Sequence, residues 1–303
     1  MPGGLSMTTT SVEAPPPPSV ETLTPVRKPK RGGGPGAIVK YALALVFLII
    51  VLMPLYVLIV TSFKAGSDIG VASQWSLPET WTLASWEKAW NALQPAFFRT
   101  FQLAVPVAII SSLIGAANGF VLSRWRFPGA DVVFTLILFG MFIPYQAVMI
   151  PLREIVTTLG IPPGITTLVL VHCIYGIPIC TLIFRNYYAT TVPEELIEAA
   201  RVDGAGLLRT FGRIILPISI PGFVVTIIWQ FTSAWNDYLF AIFLSNTRNG
   251  PITIALNALA GAQSPDYAAS MAGALITSLP TLVVYVLLGR WFIGGLMAGS
   301  VKS

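Results

Sequence analysis

Six long apolar runs, separated by polar stretches, set the pattern of this chain: residues 41–61, 101–123, 132–152, 164–184, 218–235 and 269–288. Each approaches the ~20 residues that a helix needs to cross a bilayer. Pro54, Pro106, Pro144, Pro178 and Pro280 fall inside these runs. In water they would break helices, whereas membrane helices accommodate them as kinks. The pattern predicts an all-α membrane protein with six transmembrane helices.

The polar stretches differ from one another. Residues 1–35 hold Pro15 to Pro18, Gly32 to Gly34 and four cations from Arg27 to Arg31. With little apolar surface to bury, they read as a disordered basic tail ahead of a membrane domain at 36–303. Residues 62–98 carry Trp75, Trp81, Trp86 and Trp90. Tryptophan favours the membrane–water interface, so this first loop is expected to lie along the outer surface. Residues 246–268 form a second long external loop.

The loop at 185–217 stands out because it is polar and helix-forming between two apolar runs. Thr191-Val-Pro-Glu194 fits a capping box, with Thr191 as N-cap and Glu194 three residues on. Helix-favouring residues follow through Arg201. Gly204 supplies the left-handed conformation that ends the helix, and a second helix starts near Gly206. Leu196, Ala199 and Ala200 are expected to share one face. The acids Glu194, Glu195, Glu198 and Asp203 argue against anionic lipid as its contact and for a protein partner.

Composition agrees with the bilayer. Hydrophobic residues make up 54% of the chain and charged residues 10%, against roughly 25% charged in soluble domains. Mean hydropathy is +0.75. The net charge of +5 follows topology, not nucleic acid. With both termini inside, 13 of the 18 Lys and Arg fall on the cytoplasmic side and 5 outside. That count predicts an N-in, C-in chain with the 185–217 loop in the cytoplasm. Cys173 and Cys180 lie seven apart on one predicted helix, about 10 Å by helical rise, too far for a disulfide. One His leaves no paired-His zinc motif, and no phosphate-binding GxxxxGK[ST] loop is present.

Several segments resemble one known family. Glu198-Ala199-Ala200-Arg-Val-Asp203-Gly204 followed by Ile214-Ile-Leu216-Pro217 is similar to the signature loop of ABC-importer permeases. Thr61-Ser-Phe-Lys64, Leu122-Ser-Arg124-Trp-Arg126-Phe, Ile150-Pro151-Leu152, Trp235-Asn236-Asp237 and the closing Gly294-to-Lys302 segment resemble the carbohydrate, maltose-permease-like branch. The resemblance covers about residues 36–303. It implies the type I ABC importer permease fold with a cytoplasmic helical coupling loop. It also implies a prokaryotic cytoplasmic-membrane location and a binding-protein-dependent sugar transport role.

The implied partners are a second permease subunit, a cytoplasmic ATPase dimer, an extracytoplasmic sugar-binding protein and membrane lipid, with no nucleic acid. ATP and Mg would sit on the ATPase, with no cofactor and no enzymatic activity in this chain. The resemblance assigns ATPase docking to Glu198, Ala199, Ala200, Asp203, Gly204, Leu216 and Pro217. The loop before the last span, about 256–265 with Asn257, Gly261 and Gln263, is expected to reach the binding protein.

Polar groups in the spans are costly in lipid and face a cavity or another helix, and aromatic groups there can stack on sugar faces. Asn118, Gln146, Tyr175, Gln230, Trp235 and Asn236 are therefore the expected substrate path. His172 and Asp237 are further buried polar groups, and Tyr145 and Trp229 further aromatics able to stack on a sugar. The alternative is a secondary transporter of a small solute driven by an ion gradient. Such proteins carry intramembrane ionisable groups and inverted repeats. These spans hold almost no charge, and no repeat is visible. The segment 251–257 leans toward glucose- or mannose-type members of the branch over maltose-type ones.

Overall fold

The computed structural model describes residues 35–70, 73–125, 127–261 and 266–297, the side chains from 290 on excepted. The tail at 1–34, Arg126, Gln263 and the last six residues lie outside that set. Among the described residues the structure is helical, with one isolated antiparallel bridge between Lys64 and Trp81. The chain divides into two units, 1–51 and 52–303. The described part of the first is the opening of helix α1 (Pro35–Ser62), where Leu43, Phe47 and Ile50 are all exposed. A helix apolar all round is one suited to lipid.

In the second unit, α2 (Ala84–Arg124) has 41 residues. At ~1.5 Å per residue it is about 60 Å long, twice the ~30 Å hydrocarbon core. Its N-terminal part therefore absorbs what the pattern reads as loop: Trp86 and Trp90 sit on α2, while Trp75 and Trp81 stay outside any helix. Burial of Ala89, Leu93 and Ala96 at helical spacing explains the extension.

The third apolar run does not form one rod. It splits into α3 (Ala130–Phe139), a tight turn at Gly140–Phe142, and α4 (Tyr145–Thr158), with a 97° bend between the two halves. The cause is local. Ile143 has ψ of 114°, because a residue before proline is pushed out of the helical region, and Pro144 is itself extended, with ψ of 117°. Pro106 is accommodated inside the continuous α2, whereas the chain breaks at Pro144.

Helix α5 (Ile165–Thr191) packs along α2 in the most extensive helix pair among the described residues. Gly115 and Gly119 make that possible. A Cβ at Gly119 would lie 2.7 Å from the Arg185 nitrogen and from Phe184 Cβ, and one at Gly115 would overlap Cys180. Small residues four apart are a recurring device for bringing membrane helices close.

The loop follows as α6 (Glu194–Val202) and α7 (Leu207–Thr210), then a π turn at Phe211–Ile215 and the short α8 (Leu216–Ile218). A 79° bend at Ser219 leads into α9 (Ile220–Trp235). After α10 (Leu239–Leu244) and α11 (Ile252–Ala260), α12 (Tyr267–Met297) closes the fold. Four described helices are long and apolar enough to cross a membrane, and six spans result if each bent pair counts as one.

Candidate functional site

The candidate residues gather at two places: the α6–α7 loop and a cavity between α5 and α9. In the loop, α5 continues through Thr191, and α6 starts at Glu194 after Pro193, with no side-chain cap. The expected capping box is thus replaced by proline, whose missing N–H and fixed φ suit a helix start. The C-terminal expectation holds. Gly204 has φ of 72°. Its N–H donates to Arg201 and the Ala205 N–H to Ala200, both at 2.9 Å, which is the Schellman arrangement.

The loop is anchored on one side and bare on the other. Val192, Ile197 and Ile215 are buried with Ala116, Phe120, Phe184 and Tyr188 in one cluster. Ala200 is buried as well, so the expected face of Leu196, Ala199 and Ala200 divides: Ala200 and Ile197 point inward, Leu196 and Ala199 outward. Glu198, Asp203 and Gly204 are exposed. Val202 and Leu208 are 88% and 81% exposed. Leu216 is half-buried and Pro217 exposed in the segment that returns toward α9.

The cavity has a volume of about 490 Å³. Helix α5 contributes His172, Tyr175, Gly176 and Ile179, spaced i, i+3, i+4 and i+7, which is a single helical face. Helix α9 contributes Trp229, Gln230, Ser233 and, at its end, Asn236. Tyr145 and the 237–240 segment complete the wall.

Polar groups here are held in place. Gln230 Nε2 donates to the Gly176 carbonyl at 2.9 Å. Asp237 accepts the backbone N–H groups of Phe240 and Ala241 at 3.2 and 3.0 Å, so it caps α10. His172 Nε2 stands 3.3 Å from Asp237 Oδ2, both side chains being under a tenth exposed. The two are within ion-pair distance, but the imidazole nitrogen is not aligned for a hydrogen bond.

Of the expected substrate path, Tyr175, Gln230 and Asn236 line this cavity. The other three do not. Trp235 is fully buried, packing on Phe101 and Phe231 while its indole N–H donates to the Thr277 carbonyl at 2.9 Å. Asn118 meets Thr181 Oγ1 at 3.4 Å between α2 and α5, and Gln146 is exposed on α4. Ser233 and Tyr238 were missed. The signal that finds Ser233 is its spacing from Trp229 and Gln230 along α9.

Asn257 and Gly261 lie on and just after α11, a helix packed on α2 and α12, where the sequence pattern reads loop. Asn257 and Gly261 are exposed, and Gln263 is outside the described residues. The segment 251–257 contributes nothing to the cavity wall: Ile252 and Ile254 are buried in the core, and Thr253 Oγ1 donates to the Asp237 carbonyl.

Comparison with known proteins places these features in context. Residues 111–293 match the model of the binding-protein-dependent transport system inner membrane component family. The chain is 34% identical over 285 residues to a xylose/arabinose import permease of Haloferax volcanii, covering 86% of this chain and 91% of that protein. It is 46% identical over 169 residues to a probable ABC transporter permease of Pyrococcus horikoshii, covering 55% of this chain and 61% of that one. In that second case the match spans less than two thirds of the relative. A crystal structure of a bacterial ABC transporter involved in the import of the acidic polysaccharide alginate contains a similar chain. It has a TM-score of 0.73 at 20% identity and covers 85% of this chain and 96% of that one. At that identity the likeness establishes a common fold.

Proposed function

The chain belongs to the family of binding-protein-dependent transport system inner membrane components, and from that membership we propose that it is the membrane subunit of an ATP-driven sugar importer. Members of this family are permease subunits and not enzymes. They work with a partner permease, an ATPase and a substrate-binding protein. For this chain we assign ATPase docking to the outward side of α6 and α7, with Glu198, Ala199, Asp203 and Gly204 at the contact. Ala200 supports them from beneath, and Leu216 and Pro217 carry the movement toward α9. ATP and Mg would be held by the ATPase subunits, here a dimer.

The observation that carries this reading is the exposure of Val202 and Leu208 on a loop whose opposite side is anchored in the core. A helix fixed on its inner side with large aliphatic side chains left in water fits a surface that a partner covers. N-in, C-in topology would put it in the cytoplasm beside the ATPase. The cavity fits the substrate path: Tyr145, Tyr175 and Trp229 offer aromatic faces, and Gln230, Ser233, Asn236 and Asp237 offer hydrogen-bonding groups. That mixture suits a polyhydroxylated ligand. Asn257, Gly261 and Gln263 remain assigned to the binding-protein side.

The discriminating experiment is uptake in proteoliposomes holding the full importer. Sugar accumulation should require ATP and binding protein and survive collapse of the proton and sodium gradients. The purified chain alone should hydrolyse no ATP. Uptake that dies with the gradient while ATP is retained would establish the ion-driven alternative.

A further inference from the structure

Arg124, the last residue of α2, turns its guanidinium under the loop. Its Nε and Nη2 donate to the Tyr188 carbonyl at 3.2 and 2.8 Å. Nη2 also donates to the carbonyls of Ala189 at 3.0 Å and Val192 at 2.5 Å. Nη1 lies 3.9 Å from Glu194, and the Arg124 side chain is only 13% exposed. Tyr188 and Ala189 belong to the last turn of α5, where the helix runs out of its own donors; the Tyr188 carbonyl also accepts the Val192 N–H at 3.2 Å. Val192 follows that helix, and Glu194 begins α6. One planar fork therefore bridges the ends of two spans and the start of the loop. Arginine suits this role because its donors are fixed in a plane and its charge is permanent.

The return path is tied to the same point. The Tyr188 hydroxyl is 2.9 Å from the Ser219 hydroxyl, which donates to the Ile215 carbonyl. The Tyr187 hydroxyl donates to the Ile218 carbonyl at 2.8 Å. Both the segment that enters the loop and the one that leaves it are thus pinned to the end of α5.

Helix α5 also forms the cavity wall. From Ile179 to Thr191 is about 18 Å along one rod at the helical rise. Pro178 lies at the cavity end of that stretch and removes one rung of the backbone ladder. A push delivered to α6 alone could be absorbed by fraying the last turn of α5 or by bending at Pro178. A push shared with α2, which lies against Cys180, Phe184 and Arg185 through Gly115 and Gly119, cannot be absorbed so easily.

We propose that Arg124 is a positioning residue for energy coupling: it binds the ends of α2 and α5 and the start of α6 into one body, so that movement of the loop reaches the cavity. The inference rests on the docking reading above. Its test needs no knowledge of the sugar. In the assembled importer, Ser233→Cys on the cavity wall is labelled with a maleimide before and after trapping with ATP and vanadate, the native Cys173 and Cys180 being buried. With Arg124 present, trapping should change the labelling rate about fivefold, and in Arg124→Gln the change should fall within about twofold, because residues outside both sites can modulate coupling. The ATPase should still co-purify, and Arg124→Lys should recover part of the response. A full response in Arg124→Gln would overturn the proposal. So would loss of the ATPase from that complex, since the fork would then hold the docking face and not transmit its movement. Failure of the docking reading itself shows separately, as ATPase retained unchanged by Glu198→Lys and Gly204→Val.

Discussion

Gln230 on α9 donates from Nε2 to the carbonyl of Gly176 on α5 at 2.9 Å, at the wall of the cavity. The same nitrogen lies 3.2 Å from Cys180 Sγ, and Gln230 is 3% exposed. The bond exists because residue 176 has no side chain. A Cβ there would stand 2.5 Å from that nitrogen and 2.7 Å from Ser111 Oγ.

Gly176→Ala should therefore lower stability by about 1–3 kcal/mol, the usual effect of overpacking a tight contact, and should reduce uptake at equal membrane abundance. Gln230→Leu keeps much of the volume but removes the second hydrogen bond to the Gly176 carbonyl, which retains its partner within α5, at a cost of about 0.5–1.5 kcal/mol. Thermal unfolding in detergent measures both. An unchanged midpoint for Gly176→Ala would mean that α5 and α9 part more readily than this contact implies.

Lys88 and Asp266 join the starts of α2 and α12 at 2.7 Å. The hydrogen bond from Lys88, opposed by partial burial and assisted by the backbone N–H groups of Ala269 and Ala268, holds the Asp266 carboxyl below its ordinary range. A folded-state pKa below the unfolded one means that the stabilisation is full above the unfolded value, ~3.9 for Asp. It is lost as pH falls through the lower, folded value. Because Lys88 is 60% exposed, the effect should stay under about 1 kcal/mol and shrink in salt. Asp266→Asn should flatten the fall in unfolding temperature below about pH 4. An identical acid profile in the variant would show that the pair contributes nothing.

The spans and the loop were legible because their signals are local. Apolar length marks a span, and Gly204 between two helix-forming segments marks a helix end with a left-handed residue. The breaks were less legible. Pro106, Pro178 and Pro280 stay inside continuous helices, whereas Pro144 stands at the break, as the N-cap of α4. The difference lies in the extended Ile143 before it, a conformation that a following proline favours. The N-terminal extension of α2 was hidden because its interfacial tryptophans resemble a loop lying on the membrane. The cavity was half legible: polarity within a span picks out Gln230 and Asn236, but it also picks out Asn118, which pairs with Thr181 between helices. Trp235 shows that an aromatic next to a polar motif can be core, since its ring fills the space against Phe101 and Phe231.

Topology has a direct test. Leu83, at 67% exposure, and Asn257 are surface positions on the side assigned to the exterior, and Asp203 is one on the side assigned to the cytoplasm. Single cysteines at 83 and 257 should react with an impermeant thiol reagent in intact cells. A cysteine at 203 should react only after permeabilisation. Labelling of 203 from outside would reverse the orientation and remove the loop from any cytoplasmic ATPase.

Gly204 tests the loop most sharply because space and conformation can be separated there. No atom lies within 4 Å of where its Cβ would be, so nothing in this chain obstructs a side chain. The restriction is the φ of 72°, which costs an L-residue about 1–2 kcal/mol and a β-branched one more. Asparagine tolerates that conformation best among the non-glycine residues and ends helices in the same way. Gly204→Val should therefore shift α7 relative to α6 and abolish uptake with the spans still inserted, while Gly204→Asn should keep much of it. If the partner packs closely on Gly204, both variants should fail, and the failure of Asn would then report the dock and not the backbone. Co-purification of the ATPase at matched membrane abundance reads the two cases apart. Normal uptake by Gly204→Val would show that the loop is not the lever.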